Sequence, residues 1–177
     1  MTQRQEYKTL KAYSDFELRE YLPCVIAEVK ISAQYSTATS SAFSTLFNYI
    51  SKGNNSSQKI AMTAPVITAQ NAERSESAGW YVSFVMPSGS TFGHLPHPND
   101  PQVKLRELES EICVAKSFRG RATDELSRKI SEELRRSAAK ANLELSNETR
   151  ICRFDPPFKP GFLQYNEIVI PTYLDAN

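Results

Sequence analysis

The sequence predicts an α+β protein: a distorted eight-stranded antiparallel β-barrel with two helices, built from two ββαββ repeats. Two observations support this. Segments typical of strands come in pairs around two stretches with helical periodicity. The two halves of the chain also share short sequence matches at nearly constant spacing. Because strands and helices do not alternate one by one, a parallel sheet is not expected.

The first half opens with a predicted hairpin, in which FELREY alternates apolar and charged residues and CVIAEVKI is rich in β-branched residues. The predicted strands cover residues 16–21, 24–31, 59–69 and 80–86. A polar loop is expected over 71–78. Between the second and third strands, apolar residues recur on one helical face, at Phe43, Leu46, Phe47 and Ile50. Gly53 is expected to end this helix.

The second half repeats this order. Its predicted strands cover residues 103–108, 112–118, 149–154 and 165–170. Thr123 is a suitable N-cap for a helix that extends to Ala141, and Asn142 suits a left-handed residue at its end. The charges on this helix alternate in sign, which is typical of a solvated face and not of a nucleic-acid-binding stripe.

Short matches between the halves predict an internal duplication. The tripeptide Leu-Arg-Glu occurs at 18–20 and again at 105–107, 87 positions later. The segment YVSFVMP at 81–87 resembles YNEIVIP at 165–171, 84 positions later. We therefore expect a single domain over 1–177, with pseudo-repeats at about 7–90 and 101–174.

The composition excludes several classes of function. With 21 Lys and Arg against 20 Asp and Glu, the chain has no excess positive charge for nucleic acid or an anionic membrane. Two histidines are too few for a His-rich metal cage, and no phosphate-binding glycine motif occurs. The N-terminus is polar and no apolar run is long enough to cross a bilayer, so a soluble, cytoplasmic protein with no membrane insertion is expected.

The three cysteines lie in apolar segments, and we interpret them as buried, reduced thiols. Catalytic chemistry finds little support, because His94 and His97 both lie in a proline-rich loop. No Ser/His/Asp or Cys/His set can be proposed, so we assign no catalytic and no metal-ligating residue. A hydrolase is the least favoured of the alternatives.

The octapeptide KIAMTAPV at 59–66 resembles the signature of the SOUL / haem-binding protein family. The resemblance extends along nearly the whole chain. Its further matches are DFELREY at 15–21, the apolar face of the first helix followed by Gly53-Asn54, the segment at 95–107, Asp155-Pro156-Pro157, Phe162-Leu163 and Asn166-Glu167. The resemblance implies a distorted barrel of two ββαββ repeats, related in fold to bacterial effector-binding domains.

The resemblance also implies a function. Members of the family bind haem and other tetrapyrroles in an apolar cleft near the first helix, without an obligatory axial histidine. The expected function is thus a binding protein for such a ligand, acting as carrier, buffer or sensor. Haem, held non-covalently, is the only cofactor that the resemblance implies, and a small molecule is the expected partner. The oligomeric state stays open.

Candidate ligand-binding residues follow from this expectation. An apolar platform for a flat macrocycle would use Phe43, Phe47, Ile50, Met62, Trp80 and Met86, unless these residues are ordinary core. Haem propionates call for a basic residue at the rim of the cleft. Residues 36–51 contain neither Lys nor Arg, so Lys52 and Lys59 are the nearest candidates.

Glu167 supports an alternative function. In the closing strand it shares a face with Tyr165 and Val169. Resemblance to the effector-binding domains implies that a glutamate in this region can point into the pocket and recognise a cationic ligand. The chain would then bind other apolar or cationic small molecules. A structural role, with Glu167 bonded to Arg19, Arg106 or the backbone, is the competing interpretation.

Overall fold

The computed structural model describes residues 2–70 and 79–174. The predicted loop at 71–78 lies outside the described residues. The helices are α1 (Tyr35–Ser51), α2 (Asp124–Lys140) and a single 3₁₀ turn (Gly161–Leu163). The strands are β1 (Gln3–Arg4), β2 (Tyr7–Ala12), β3 (Glu17–Tyr21), β4 (Cys24–Ile31), β5 (Thr63–Ala64), β6 (Val66–Gln70), β7 (Trp80–Val85), β8 (Lys104–Leu108), β9 (Glu111–Arg119), β10 (Thr149–Arg153) and β11 (Tyr165–Pro171).

Nine of these strands form one antiparallel sheet in the order β2-β3-β9-β11-β10-β6-β7-β4-β8. The short strands β1 and β5 pair separately in parallel. The predicted α+β class, with an antiparallel sheet and two helices, is confirmed. The sheet has nine strands instead of eight, because β2 pairs with β3 at one edge. All six residues of β2 are exposed, so no buried periodicity marks it in the sequence.

The strand order is symmetric about the pair β6–β10. The neighbours outward from β6 are β7, β4 and β8, and the neighbours outward from β10 are β11, β9 and β3. These are the strands that the two predicted repeats place in corresponding positions. The arrangement is the one expected of a duplicated ββαββ unit, while the duplication and its boundaries stay predictions.

Both helices pack on the same face of the sheet, which we call the helix face. Helix α1 packs on β4 and β7, and α2 packs on β9 and β11. Leu46 of α1 belongs to the same core cluster as Val29 and Val82 of the sheet. Leu134 of α2 belongs to a second cluster together with Val114. All of these side chains are fully buried. Burial of each large apolar side chain stabilises the fold by roughly 1.5–3 kcal/mol.

The opposite face of the sheet carries a separate core cluster, which we call the inner cluster. It comprises Tyr21, Ile26, Ile67, Val85, Cys113, Ala115, Cys152 and Val169. These residues come from seven strands of the sheet, and none of them belongs to a helix. Side chains on this face bury one another, which requires the sheet to curl into a half-barrel around them.

The ends of the helices follow local chemistry. The Thr123 side chain accepts a hydrogen bond from the Leu126 amide at 3.2 Å, and Asn142 takes a left-handed conformation with φ 59°. Both predictions are confirmed. At the end of α1 the left-handed residue is Lys52, with φ 136°, and not Gly53 as expected. Gly53 is required for a different reason: a Cβ there would lie 2.6 Å from the Asn48 side chain.

The cysteines are free thiols within or beside the inner cluster. Cys113 and Cys152 are buried, and Cys24 is partly buried. Burial raises the pKa of Cys113 to about 12 and also raises the pKa of Cys152, because a thiolate cannot be solvated there. Since folding favours the protonated thiols, this contribution to stability is complete below pH 9 and is lost as the pH rises toward 12.

We predict that the free energy of unfolding falls as the pH rises above about 9, by up to roughly 1.4 kcal/mol per pH unit for each buried thiol. Urea denaturation at a series of pH values measures this slope. Tyrosines and lysines also titrate here, so the Cys152→Ala variant is the matched control and should show a shallower slope. Equal slopes for the two proteins would contradict the prediction.

Candidate ligand-binding cleft

A cleft of about 1480 Å³ lies between α1 and α2 on the helix face of the sheet. One stripe of each helix forms a wall. The α1 wall presents residues at four-residue spacing, Tyr35, Thr39, Phe43 and Phe47. The α2 wall presents Asp124, Ser127, Arg128, Ser131 and Arg135. Thr39 on α1 and Ser127 and Ser131 on α2 have short side chains, which leave the space between the helices open.

The floor of the cleft comes from the two central strands, β6 and β10. Side chains alternate along each strand, so Val66 on β6 and Ile151 and Arg153 on β10 face the helices. Val66 lies directly opposite Arg153 across the strand pair. The residue between, Cys152, belongs to the cluster on the other face. Gln70 and Thr149, which pair at the other end of these strands, also line the cleft, and Arg153 is the charged side chain that β6 and β10 contribute to the floor.

Tyr35 joins the beginnings of the two helices. Its hydroxyl donates a hydrogen bond to the carbonyl of Ala122, just before α2, at 2.9 Å. Its ring contacts the indole of Trp80 edge to face, with 5.1 Å between the centroids. Tyr35, Ala122 and Trp80 all line the cleft, so these contacts set the separation of its walls at this end.

The apolar part of the lining is aromatic. The rings of Phe43 and Phe47 stack with centroids 5.9 Å apart, and Phe43 contacts Phe84 of the core beneath. Phe47 keeps 49% of its surface exposed, so its ring is accessible to a ligand in the cleft. Met62 and Trp80 extend this surface. An adaptable thioether next to flat rings suits a flat apolar ligand.

Arg153 is the charged group of the floor, and one of its nitrogens lacks a hydrogen-bond partner. Its Nε is buried without a hydrogen bond, and no carboxylate pairs with it among residues 2–70 and 79–174. Burial lowers the pKa of this guanidinium, because the charged form loses hydration and the nearby Tyr35 and Cys152 offset that loss only in part.

The other arginines of the lining differ from Arg153, since Arg121 is exposed and the remaining two have partners. Arg128, on the exposed rim, is paired with Asp124 at 2.8 Å. Arg135 donates to the Ser146 carbonyl and to the Thr149 hydroxyl, both at 2.9 Å, and so has neutral partners.

The structure places four of the nine predicted ligand-binding residues in the lining: Phe43, Phe47, Met62 and Trp80. Ile50 and Met86 lie instead in the core beneath α1, each 3% exposed. Lys52 and Lys59 flank the turn at the far end of α1 and do not line the cleft. Helical periodicity identifies the apolar face of α1. It does not distinguish residues that pack on the sheet, such as Ile50, from residues that line the cleft, such as Phe47.

Glu167 lies on the opposite face of the sheet and does not line the cleft between the helices. Its two carboxylate oxygens accept hydrogen bonds from Arg19 at 2.8 and 3.0 Å, and one of them also accepts from the Tyr165 hydroxyl at 2.7 Å. Only 3% of Glu167 is exposed. Of the predicted alternatives, the bond to Arg19 is the one observed.

A second arginine on this face is bound in the same way. Arg150 is paired with Glu111 through two hydrogen bonds, at 2.7 and 3.0 Å, and with Glu148 at 2.7 Å. Arg19 likewise has a second carboxylate, Glu17, at 2.7 Å. Burial by itself would lower the pKa of each arginine, but the hydrogen bonds that the arginines donate to the carboxylates outweigh it and raise both pKa values.

The model of the SOUL heme-binding protein family matches residues 2–171 of the chain. The chain belongs to this family. No curated protein sequence matches it closely enough to count as a relative. The SOUL family match covers the cleft walls, the floor and both faces of the sheet, and so confirms the expectation drawn from KIAMTAPV and the other segments.

Solved structures share the fold of this SOUL protein at low sequence identity. The EcmrR C-terminal domain is 14% identical, with a TM-score of 0.69 over 96% of this chain and 99% of that one. A hydrolase from Listeria innocua is 12% identical, with a TM-score of 0.59 over 92% and 94%. SAV2435 bound to tetraphenylphosphonium is 10% identical, with a TM-score of 0.51 over 94% and 93%. These likenesses show the fold alone.

Within the described part of the chain, neither α1 nor α2 is long and apolar enough to cross a bilayer. In the same part, no three side chains of His, Cys, Asp or Glu come together as metal ligands would.

We predict that Glu167→Ala destabilises the protein by about 3–5 kcal/mol, because it leaves Arg19 without its main partner in the buried cluster. The double variant Arg19→Met/Glu167→Leu removes both charges and should lose less stability than the single variant. Chemical denaturation of the three proteins measures this order. A double variant less stable than Glu167→Ala would contradict it.

Proposed function

We propose that the chain binds a flat apolar small molecule of the tetrapyrrole class, such as haem, in the cleft between α1 and α2, as a carrier, buffer or sensor. The observation that carries this proposal is the aromatic wall of Phe43 and Phe47, with Met62 and Trp80, along an open cleft of about 1480 Å³. Drug-sized ligands occupy pockets of roughly 300–1,000 Å³, so there is room for a macrocycle.

The residues of the cleft fit haem as a non-covalent ligand. The apolar wall suits the ring, and arginines in the lining suit its two carboxylates. No histidine of the described residues lines the cleft, and His94 instead hydrogen-bonds to Thr91 in its exposed loop. The ring would therefore be held by its apolar surface and its carboxylates, in keeping with a family in which an axial histidine is not obligatory.

A cationic ligand has less support. That alternative depended on Glu167, whose charge is already neutralised by Arg19 on the other face of the sheet. In the lining, Asp124 and Asp155 are paired with Arg128 and Lys159. The neighbour bound to tetraphenylphosphonium shares the fold, but in this chain Glu167 is bound to Arg19 and does not line the cleft.

We predict that haem quenches the fluorescence of Trp80 saturably and with one-to-one stoichiometry, since Trp80 is the single tryptophan and lines the cleft. Phe47→Ala should weaken binding about tenfold, as expected for loss of an aromatic contact. Phe92→Ala is the matched control, because Phe92 is similarly exposed, at 52%, but lies outside the lining.

Fluorescence titration together with the haem absorption band measures both variants. Non-saturable quenching, or equal weakening by the two alanine variants, would argue against binding in this cleft.

A further inference from the structure

Two of the three buried side-chain polar atoms that lack a hydrogen-bond partner in the described residues line the same cleft. These two atoms are the Nε of Arg153 on the floor and the Oγ of Ser127 on the α2 wall. The third atom, Thr68 Oγ1, belongs to a residue that does not line the cleft. Ser127 is only 2% exposed. Native structures leave few such atoms unpaired, so a concentration of them in one cleft indicates a missing partner.

A comparison with two other arginines indicates what kind of group would complete the surroundings of Arg153. Arg19 and Arg150, which are more deeply buried than Arg153, are each bound by two carboxylates within 3.0 Å. Arg153 has none among the described residues. Withdrawing an arginine from water without an anion costs several kcal/mol, and the protein meets this cost with internal glutamates at the other two positions. At Arg153 the position is open to the cleft.

The lining offers no acid of its own for this purpose. Asp124 is bound by Arg128, and Asp155 is bound by Lys159 and by the amide of Tyr165. Glu132 is exposed on the outer part of the α2 wall. Arg153 and Arg135, in contrast, are half-buried. The deep part of the cleft therefore has an excess of positive charge.

We propose that Arg153 anchors a carboxylate of the ligand, so that the cleft selects apolar ligands that carry an anionic group over neutral or cationic ligands of the same shape. This inference rests on the proposed function and adds the chemical class of the ligand's polar end. A guanidinium can bind a carboxylate through two parallel hydrogen bonds, which fixes the orientation of the ligand as well as its affinity. The Ser127 hydroxyl is a second donor on the adjacent wall.

The test compares protoporphyrin IX, which has two carboxylates, with its dimethyl ester, which has none, by quenching of Trp80. Wild-type protein should bind the diacid at least about tenfold more tightly than the ester, since hydrogen bonds between charged groups are stronger than those between neutral groups. Arg153→Met should remove this preference by weakening the diacid alone. Arg153→Lys should keep part of it, and Arg128→Met, on the rim, should keep all of it.

The outcomes separate this inference from the proposed function. Equal binding of diacid and ester by wild-type protein, or equal weakening of both by Arg153→Met, would overturn the anchor but leave the cleft as a binding site. Binding of neither porphyrin would overturn both.

A ligand-free measurement gives a second test. Arg153→Met removes a half-buried charge that no carboxylate of the described residues neutralises, so its urea midpoint should lie above that of wild type. Arg19→Met leaves Glu167 without its cation, so its midpoint should lie below that of wild type. A lower midpoint for Arg153→Met would show that its charge is already compensated.

Discussion

The antiparallel pairing of β6 with β10 is the contact on which the rest of the structure depends. It lies at the centre of the strand order, and its register places Val66 opposite Arg153 and Ile67 opposite Cys152. A shift of one residue would turn every side chain of β10 to the other face. Arg153 would then enter the inner cluster and Arg150 would enter the cleft, far from its glutamates. The register thus decides which arginine is neutralised within the protein and which faces the space between the helices.

The two faces treat buried charge in different ways. On the opposite face, Arg19 and Arg150 are each enclosed by carboxylates, and the inner cluster is complete without any ligand. On the helix face, α1 and α2 leave between them a strip of sheet that neither covers. An aromatic wall along one side and an unpaired arginine on the floor make this strip suited to an amphipathic molecule. The ion pairs of Arg19 and Arg150 therefore have a structural role, whereas Arg153 is available to bind a ligand.

Much of this architecture is predictable from local sequence patterns. The strands, α2 with its Thr123 cap and the apolar face of α1 all follow from periodicity and capping. Alternation also groups Glu167 correctly with Tyr165 and Val169. It does not show which face of the sheet the helices cover, because that depends on the handedness and packing of the whole chain. For the same reason the sequence does not show whether Glu167 lines the cleft. Arg153 stands in a short strand between Cys152 and Phe154, and no sequence pattern marks it as a ligand-binding residue. The edge strand β2 has no buried face to detect.

The central claim is that the ligand lies between the helices with an acidic group on Arg153. A crystal structure of the protein with protoporphyrin IX tests it most directly. The account predicts the macrocycle against Phe43 and Phe47, with a carboxylate about 2.7–2.9 Å from the guanidinium of Arg153. A macrocycle bound elsewhere, or one in the cleft with both carboxylates in solvent and Arg153 still unpaired, would contradict it.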